Sequence, residues 1–313
     1  MNIPTIYNNL SSNVKAVDVY DALNSHKTEY IYFNTDGNWT GLGAYYAYTV
    51  FAKSAGITPL QIKGLEKSTI NDFLGSFYTQ SESAKLQGNP DHIDYYTIPG
   101  SYSSKLFMQY STEATDVDMY YTDAKDSDNA YNVFVWGDNP LMVIDNTGIN
   151  EGEKIAIVKE SYGNAFAPYL AYNYDEVHII DYRYFDGNLA EYCKENGIKN
   201  VLFLNDIISA NTNTQIKVMD TIFEANGSGS YSLNSDSSSE SGNSDGDSTN
   251  GDNSDDSSSD DSQYYYGYDE NENSDDSYIG DYYTSEDSES AYYSNDDSGG
   301  YDYSYDYNYD YSY

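Results

Sequence analysis

Residues 154–170, with the sequence KIAIVKESYGNAFAPYL, decide the fold of this chain. The stretch opens on a short apolar run, Ile155 to Val158, of the kind that forms a buried strand. A charged pair, Ser161, a Gly-Asn turn and a helix-like segment follow. A serine at a strand-to-helix turn lies at the edge of the sheet, beside the free N–H groups of the helix start. Local sequence leaves two roles open for Ser161: a nucleophile beside an oxyanion hole, or an N-cap, which is the more common use of serine at such a turn.

The alternation of strands and helices continues downstream of Ser161. Apolar runs at 177–180 and 201–204 flank a helical segment at 188–196. Short apolar strands that alternate with helices predict a parallel sheet built from βαβ units. Sites in open sheets of this kind lie at the carboxyl ends of the strands, where both Ser161 and Arg183 fall.

The upstream part of the chain is less regular. A helix is predicted at about 41–55, because apolar and aromatic residues recur there at helical spacing. Residues 60–130 hold turns and tyrosine pairs, which indicate an insertion of short antiparallel strands that forms one wall of a cleft. Apolar runs at 131–136 and 141–144, around the turn sequence GDNP, predict a hairpin.

Charge and composition divide the chain into two parts. It has 313 residues, with 52 acidic and 14 basic side chains and a formal net charge of −38. Residues 226–313 hold 23 of the acidic residues, 17 of the 39 tyrosines and no Lys or Arg. Because this segment has almost no aliphatic residues, we predict one domain at 1–225 and a disordered tail at 226–313. Three roles are open for the tail: a repelling segment that keeps the domain soluble, an element that self-associates or binds cations, or a site of tyrosine cross-linking.

The acidic balance argues against nucleic acid and anionic membrane surfaces as partners. Cys193 is the sole cysteine, so no intrachain disulfide is expected, and its helical context indicates a small buried residue. The sequence has no run of 18 apolar residues, and its first residues lack the pattern of a signal peptide. No metal or cofactor is expected, because neither metal-ligand spacing nor a phosphate-binding glycine loop is present.

Residues 36–48, 159–168 and 177–185 together carry a resemblance to a known family. They resemble the DHHW family, a bacterial group of the SGNH hydrolase superfamily related to alginate O-acetyltransferase domains. Residues 36–48, DGNWTGLGAYYAY, are similar to the segment that names the family. Residues 159–168, KESYGNAFAP, are similar to its serine motif, and residues 177–185, VHIIDYRYF, resemble the strand and D-x-R-Y turn that follow. The resemblance covers about residues 13–210. It implies an α/β fold, a flavodoxin-like three-layer sandwich with a mainly parallel sheet.

The same resemblance implies acyl-ester chemistry, in which a serine attacks the acyl carbon, a histidine takes the proton and an aspartate orients the histidine. On this sequence the nucleophile is Ser161 and the aspartate is Asp36. The expected histidine position holds Asn38, and an amide cannot accept and return a proton near neutral pH. The residues assigned to ligand binding are Trp39, Asn164 and Arg183.

The sequence contains three histidines, and none is an evident replacement for the missing base. His26 ends a helix and is expected at the surface, whereas His178 lies in a buried strand pattern and is expected to be a satisfied core residue. His92 lies in the insertion and is the one candidate for reaching a cleft.

Family members begin with an anchor or export signal and further strands, so we expect this chain to lack the N-terminal part of the domain. The resemblance suggests an extracytoplasmic location. The first hypothesis is a degenerate domain that binds a carbohydrate or acyl ligand, such as a polysaccharide or acyl ester, or that serves as a surface or assembly module. The second is an active serine esterase or O-acetyltransferase acting on cell-surface polysaccharide. The third is that the acidic, tyrosine-rich tail is the functional interaction element.

Overall fold

The computed structural model describes residues 2–111, 113–127, 129–227, 229, 231 and 233. Nearly all of the predicted tail at 226–313 lies outside these residues, so the domain boundary and the roles of the tail stay predictions. Within the described part of the chain, no helix is long and apolar enough to cross a membrane.

Helices and short strands alternate along the domain. The helices are α1 (Asn2–Asn8), α2 (Tyr20–Ser25), α3 (Gly41–Ala55), α4 (Ser76–Ser81), α5 (Ala84–Gln87), α6 (Tyr162–Leu170), α7 (Leu189–Glu195) and α8 (Asn213–Glu224). The strands are β1 (Lys67–Phe73), β2 (Asp91–Tyr96), β3 (Tyr102–Phe107), β4 (Thr115–Val117), β5 (Leu141–Asn146), β6 (Lys154–Lys159), β7 (Glu176–Asp181) and β8 (Asn200–Leu204).

The central sheet is mixed, with strand order β4-β3-β5-β7-β6-β8. β6 pairs in parallel with both β7 and β8. β3 pairs antiparallel with β4 and β5, and β5 pairs antiparallel with β7. The prediction of a mainly parallel sheet is therefore wrong. The βαβ spacing that carried it covers only β6, β7 and β8, and the other half of the sheet comes from residues assigned to an insertion and a hairpin.

Two upstream predictions have opposite outcomes. The helix at 41–55 is confirmed as α3, and its N-terminus is capped by Thr40, whose Oγ1 accepts from the N–H of Gly43 at 3.2 Å. The prediction of a hairpin around residues 137–140 is wrong. Residues Ala130–Val133 form a short 3₁₀ helix instead, and Val135 has a positive φ of 48° that breaks the extended run.

Helices cover both faces of the sheet because the residues of each strand alternate between two apolar clusters. On one face, Ile155 and Ile157 of β6 pack in the cluster that contains α3 and α6. On the other face, Ala156 and Val158 pack in the cluster that contains Leu189 of α7 and residues of α8. This layering leaves the carboxyl ends of β6, β7 and β8 as the edge from which the site residues project. β1 and β2 pair antiparallel as a separate two-stranded sheet.

Candidate active site

The ends of three parallel strands set the frame of the site. Lys159, the last residue of β6, stands in register with Asp181 of β7 and Leu204 of β8. Two residues beyond each of these positions, the chain places Ser161, Arg183 and Asp206. The expectation that Ser161 and Arg183 follow strand ends of the same sheet is confirmed.

Ser161 stands at the N-cap position of α6, yet its side chain makes no capping hydrogen bond. Its Oγ donates instead to Oε2 of Glu160 at 3.1 Å. The open N–H of Tyr162 in the first turn also donates to that carboxylate oxygen, at 3.0 Å. The cap is therefore Glu160, and the hydroxyl of Ser161 is left half-buried beside a carboxylate.

The Glu160 carboxylate is held on both oxygens. Oε1 accepts from the backbone N–H of Asp206 at 2.9 Å, while Oε2 accepts from Ser161 and Tyr162. The residue is 4% exposed. Burial raises the pKa of Glu160 to about 7, with the backbone N–H of Tyr162 opposing that rise and the charge of Asp206 adding to it. This carboxyl therefore changes its protonation state near neutral pH.

Asp36 lies in the loop before α3, where it is 6% exposed. Its Oδ1 accepts from the backbone N–H of Asn38 at 2.8 Å and from the Asn38 side-chain Nδ2 at 2.7 Å. Its Oδ2 accepts from the N–H of Ser76 at the start of α4, at 2.8 Å. Three hydrogen bonds thus hold the aspartate, and the side chain that it contacts is the amide of Asn38.

Two reciprocal hydrogen bonds join the Asp36 loop to the Ser161 turn. The indole Nε1 of Trp39 donates to the carbonyl of Tyr162 at 2.9 Å. The hydroxyl of Tyr162 donates to the carbonyl of Gly37 at 2.6 Å. The structure therefore brings the two predicted catalytic segments together, and it places Trp39, which is 5% exposed, inside the joint between them.

The Asp36 loop is anchored by residues that sequence reasoning did not select. Asp91, at the start of β2, accepts from the backbone N–H groups of Asn34 and Thr35 at 2.9 and 2.6 Å, and from the Thr35 hydroxyl at 2.7 Å. Gly75 packs so closely that a Cβ there would lie 2.3 Å from the Cβ of Asp36. No motif marked either residue, because both act through tertiary contacts.

Asn164 and Arg183, the other residues assigned to ligand binding, meet at Asp138. Oδ1 of Asp138 accepts from the Asn164 Nδ2 at 2.8 Å, and Oδ2 pairs with the Arg183 guanidinium at 2.9 Å. Arg183 also donates to both oxygens of Asp181, at 2.8 and 2.7 Å. Their donor groups are thus already bonded to protein, and their assignment to ligand binding stays a prediction.

Lys159 completes this network in the interior. Its Nζ, which is fully buried, pairs with Asp138 at 3.0 Å and with Asp181 at 2.8 Å. Burial alone would lower the pKa of Lys159, but the two carboxylates outweigh it and raise the pKa above its ordinary value. Burial alone would raise the pKa of Asp138, but Lys159 and Arg183 hold it well below its ordinary value. The network carries two positive and two negative charges and is neutral.

Several buried amide oxygens at this edge have no hydrogen-bond partner among the described residues. They are Oδ1 of Asn38, Asn164 and Asn205. In Asn38 and Asn164 the Nδ2 donates to an aspartate, so the free atom is the carbonyl oxygen. Asn205 directly precedes Asp206, whose N–H holds Glu160. Buried acceptors of this kind are normally satisfied, so these three oxygens are unused acceptors in the interior beside the site.

The histidines lie elsewhere, and in the described part of the chain none is hydrogen-bonded to Ser161 or Glu160. His178 is buried between the Tyr192 hydroxyl at 2.8 Å and Glu176 at 3.0 Å, which confirms a satisfied core residue. His92 stacks on the ring of Tyr30, with the centroids 4.6 Å apart, and its side chain is 45% exposed.

His26 stacks on Tyr46 and pairs with Glu29 at 2.6 Å, with 35% of its side chain exposed. Across the residues that the structure describes, no group of three or more His, Cys, Asp or Glu side chains is arranged to hold a metal ion. Cys193 is buried in α7, as predicted, and burial raises its pKa to about 11.

Comparison with known proteins places the chain in a family. The profile described as DHHW protein matches residues 2–180. A DHHW family protein from Eubacterium siraeum shares 31% identity and a TM-score of 0.64 with the chain, over 72% of this chain and 74% of that one. Bacillus cereus PatB1 with a sulfonyl adduct has 19% identity and a TM-score of 0.57, over 68% and 74% of the two chains.

The O-acetyltransferase domain of Pseudomonas putida AlgJ has 14% identity and a TM-score of 0.34, over 70% and 73% of the chains. Curated protein sequences include no significant match. The profile covers more than half of the chain, and the E. siraeum protein is similar over most of the domain. The resemblance inferred from residues 36–48 and 159–168 is confirmed, and the chain belongs to the DHHW protein family.

Proposed function

We propose that this domain binds an O-acylated carbohydrate or a similar acyl ester at the Ser161 edge and does not turn it over through a histidine-based triad. The observation that carries the proposal is the 2.7 Å hydrogen bond from Asn38 Nδ2 to Asp36 Oδ1. An amide there can hold the aspartate as a histidine would, but it cannot take the proton of a serine hydroxyl. The loss of one member of a triad removes most of its rate.

The chemistry of the edge supports a hydroxylated ligand. Sugar hydroxyls are donors, and the amide oxygens of Asn38, Asn164 and Asn205, which are buried and have no partner among the described residues, would accept from them once these side chains turn toward the ligand. Aromatic side chains also line the joint, with the rings of Trp39 and Tyr162 5.1 Å apart. A surface or assembly role is compatible with such binding, and the same site would recognise the partner.

Calorimetric titration with an O-acetylated xylo-oligosaccharide, and with the same oligosaccharide after de-acetylation, tests the proposal. We expect Asn38→Ala to weaken binding of the acetylated probe about fivefold to tenfold, the effect of about 1 kcal/mol for one hydrogen bond. Asn200→Ala is the matched control, because its Nδ2 donates to Glu153 at the opposite end of the sheet. Absence of binding, or equal effects of the two substitutions, would contradict the proposal.

The second candidate is an active serine esterase or O-acetyltransferase acting on polysaccharide, and the hydrogen bond from Ser161 to Glu160 favours it. Hydrolysis of an aryl acetate by the wild-type protein and by Ser161→Ala separates the two functions. Serine-dependent steady-state turnover well above the background rate would establish the second candidate and refute the first. Equal rates in both proteins are the expected result.

A further inference from the structure

We propose that Glu160 is the proton acceptor of Ser161, so that the serine keeps the ability to become acylated although Asn38 stands where the histidine of the family is expected. The inference rests on the proposed function, because it takes the acyl ester of that proposal as the reacting ligand. The inference goes beyond the proposed function because it assigns a catalytic residue and a chemical step to the site.

The geometry gives Glu160 the required contact. Oε2 lies 3.1 Å from Ser161 Oγ; the hydroxyl donates to this oxygen and does not accept from the N–H groups at the start of α6. A general base must lie within hydrogen-bond reach of the proton that it removes, about 2.6–3.2 Å between heavy atoms. Among the described residues, the Glu160 carboxylate is the one group to which the Ser161 hydroxyl is hydrogen-bonded.

The surroundings of Glu160 fit a base more closely than a purely structural cap. No Lys or Arg forms an ion pair with it in the described part of the chain, so no fixed cation holds it permanently ionised. The charge of Asp206 repels that of Glu160, and this repulsion favours the protonated form. Two backbone N–H groups, of Tyr162 and Asp206, fix the carboxylate plane against Ser161.

The tyrosines that face Glu160 do not ionise in the same pH range as its carboxyl. Tyr131, Tyr162 and Tyr182 each interact with its charge. Burial raises the pKa of Tyr182 to about 12 and raises the pKa of the other two further above their ordinary value. A titration of Ser161 reactivity near neutral pH would therefore report Glu160 and not a tyrosine.

The proposed step balances without any co-reactant. Ser161 Oγ bonds to the acyl carbon while its proton moves to Glu160 Oε2. The bond from the acyl carbon to the leaving oxygen breaks, and Glu160 returns the proton to that oxygen. The product is an acyl-serine ester and a free alcohol. The step is the acylation half of an esterase or acyl-transfer reaction, and release of the acyl group requires a separate acceptor.

Labelling with phenylmethylsulfonyl fluoride tests the step on the full chain, followed by intact and peptide mass spectrometry. Ser161 Oγ bonds to sulfur, fluoride leaves and the proton passes to Glu160. In the wild-type protein we expect the labelling rate to rise about tenfold per pH unit up to about pH 7 and then to level off. Ser161→Ala should not be labelled at that peptide.

Two variants make the test specific. Glu160→Gln should lower the labelling rate at pH 8 by about 10²-fold or more and remove the inflection, the scale of general-base assistance. Glu153→Gln, at the other end of β6, should leave both the rate and the profile unchanged. A pH profile of the wild-type labelling rate without an inflection near neutral pH would refute the inference without any variant. A folded Glu160→Gln protein that is labelled at the wild-type rate would also refute it.

The outcomes of the two proposals are separable. If Ser161 is labelled with the expected profile but the acetylated oligosaccharide does not bind, the proposed ligand is wrong and the role of Glu160 stands. If the Ser161→Ala protein binds the oligosaccharide, and the Glu160→Gln protein is labelled at the wild-type rate, the binding function stands and the proposed role of Glu160 is wrong.

Discussion

The buried carboxyl of Glu160 predicts a pH-dependent loss of stability that a single isosteric substitution removes. In the unfolded chain this carboxyl loses its proton near its ordinary pKa of 4.5, whereas in the folded protein it does so at a pKa of about 7. Between these values the folded state keeps a proton that the unfolded state has released, so the free energy of unfolding falls as the pH rises. Stability is fully retained below pH 4.5 and is lost progressively up to pH 7.

The size of the effect follows from the two pKa values. Their separation corresponds to about 3 kcal/mol in total, of which about 2–3 kcal/mol falls between pH 5 and pH 8. Glu160→Gln has the shape of the protonated carboxyl and carries no charge at either pH. The Gln amide has one acceptor oxygen where Glu160 accepts from backbone N–H groups on both, so we expect the variant to be less stable by about 1–3 kcal/mol at pH 5. Between pH 5 and pH 8 we expect this difference to shift in favour of the variant by about 2–3 kcal/mol.

Urea unfolding followed by circular dichroism at pH 5, 6, 7 and 8 measures the difference. Other carboxyls, such as Asp145, whose pKa burial raises above its ordinary value, are common to both proteins, so their contributions cancel in the comparison. Glu153→Gln, an exposed change directly before β6, should give a difference that does not vary with pH. If the Glu160→Gln difference is equally constant, the carboxyl is not perturbed by burial and the reasoning fails.

Three further predictions concern the site and its supports. Asn38→His should raise aryl-acetate hydrolysis about 10²- to 10⁴-fold, because an imidazole can take a proton that the amide cannot; an unchanged rate would refute the assignment of this position. Lys159→Met should destabilise the domain by about 3–5 kcal/mol in urea unfolding, since it leaves buried carboxylates without their cation, whereas Lys154→Met removes a partly exposed pair and should cost about 1 kcal/mol or less. Gly75→Ala should lower the melting temperature by an amount equivalent to about 1–3 kcal/mol, because its Cβ would overlap the Asp36 side chain; a melting temperature equal to that of the wild type would mean that this loop can move aside.

The sequence was informative where local pattern and tertiary structure agree. The regular strand–helix–strand spacing after residue 154 predicted β6, α6, β7, α7 and β8 and placed Ser161 at the correct edge. The aromatic periodicity at 41–55 predicted α3. The same spacing led to a wrong prediction for the sheet. β3, β4 and β5 are short and irregularly spaced along the chain, with 3₁₀ turns between β4 and β5, and their order in the sheet depends on long-range pairing.

The support of the site could not be predicted for the same reason. Glu160 lies inside the recognised serine motif, but its sequence position alone does not reveal that it replaces Ser161 as the cap or that burial raises its pKa. The sequence places Asp138 in the turn GDNP and Asp91 in the insertion at 60–130, with no role predicted for either. Each acquires its role by accepting hydrogen bonds from residues at least 20 positions away, and no local pattern encodes such contacts.

The position of Trp39 makes the joint between the two site segments optically visible. Its indole is buried against Tyr162, donates to the carbonyl of that residue, and lies with its ring centroid 6.4 Å from that of Phe166. The other tryptophan, Trp136, stacks on Tyr121 outside this joint. A Trp136→Phe protein would therefore carry one tryptophan, at the contact between the Asp36 loop and the Ser161 turn, which can be excited selectively over the tyrosines. Its emission spectrum would follow the closing of that contact during refolding and its disturbance by an arriving ligand, with no dye attached.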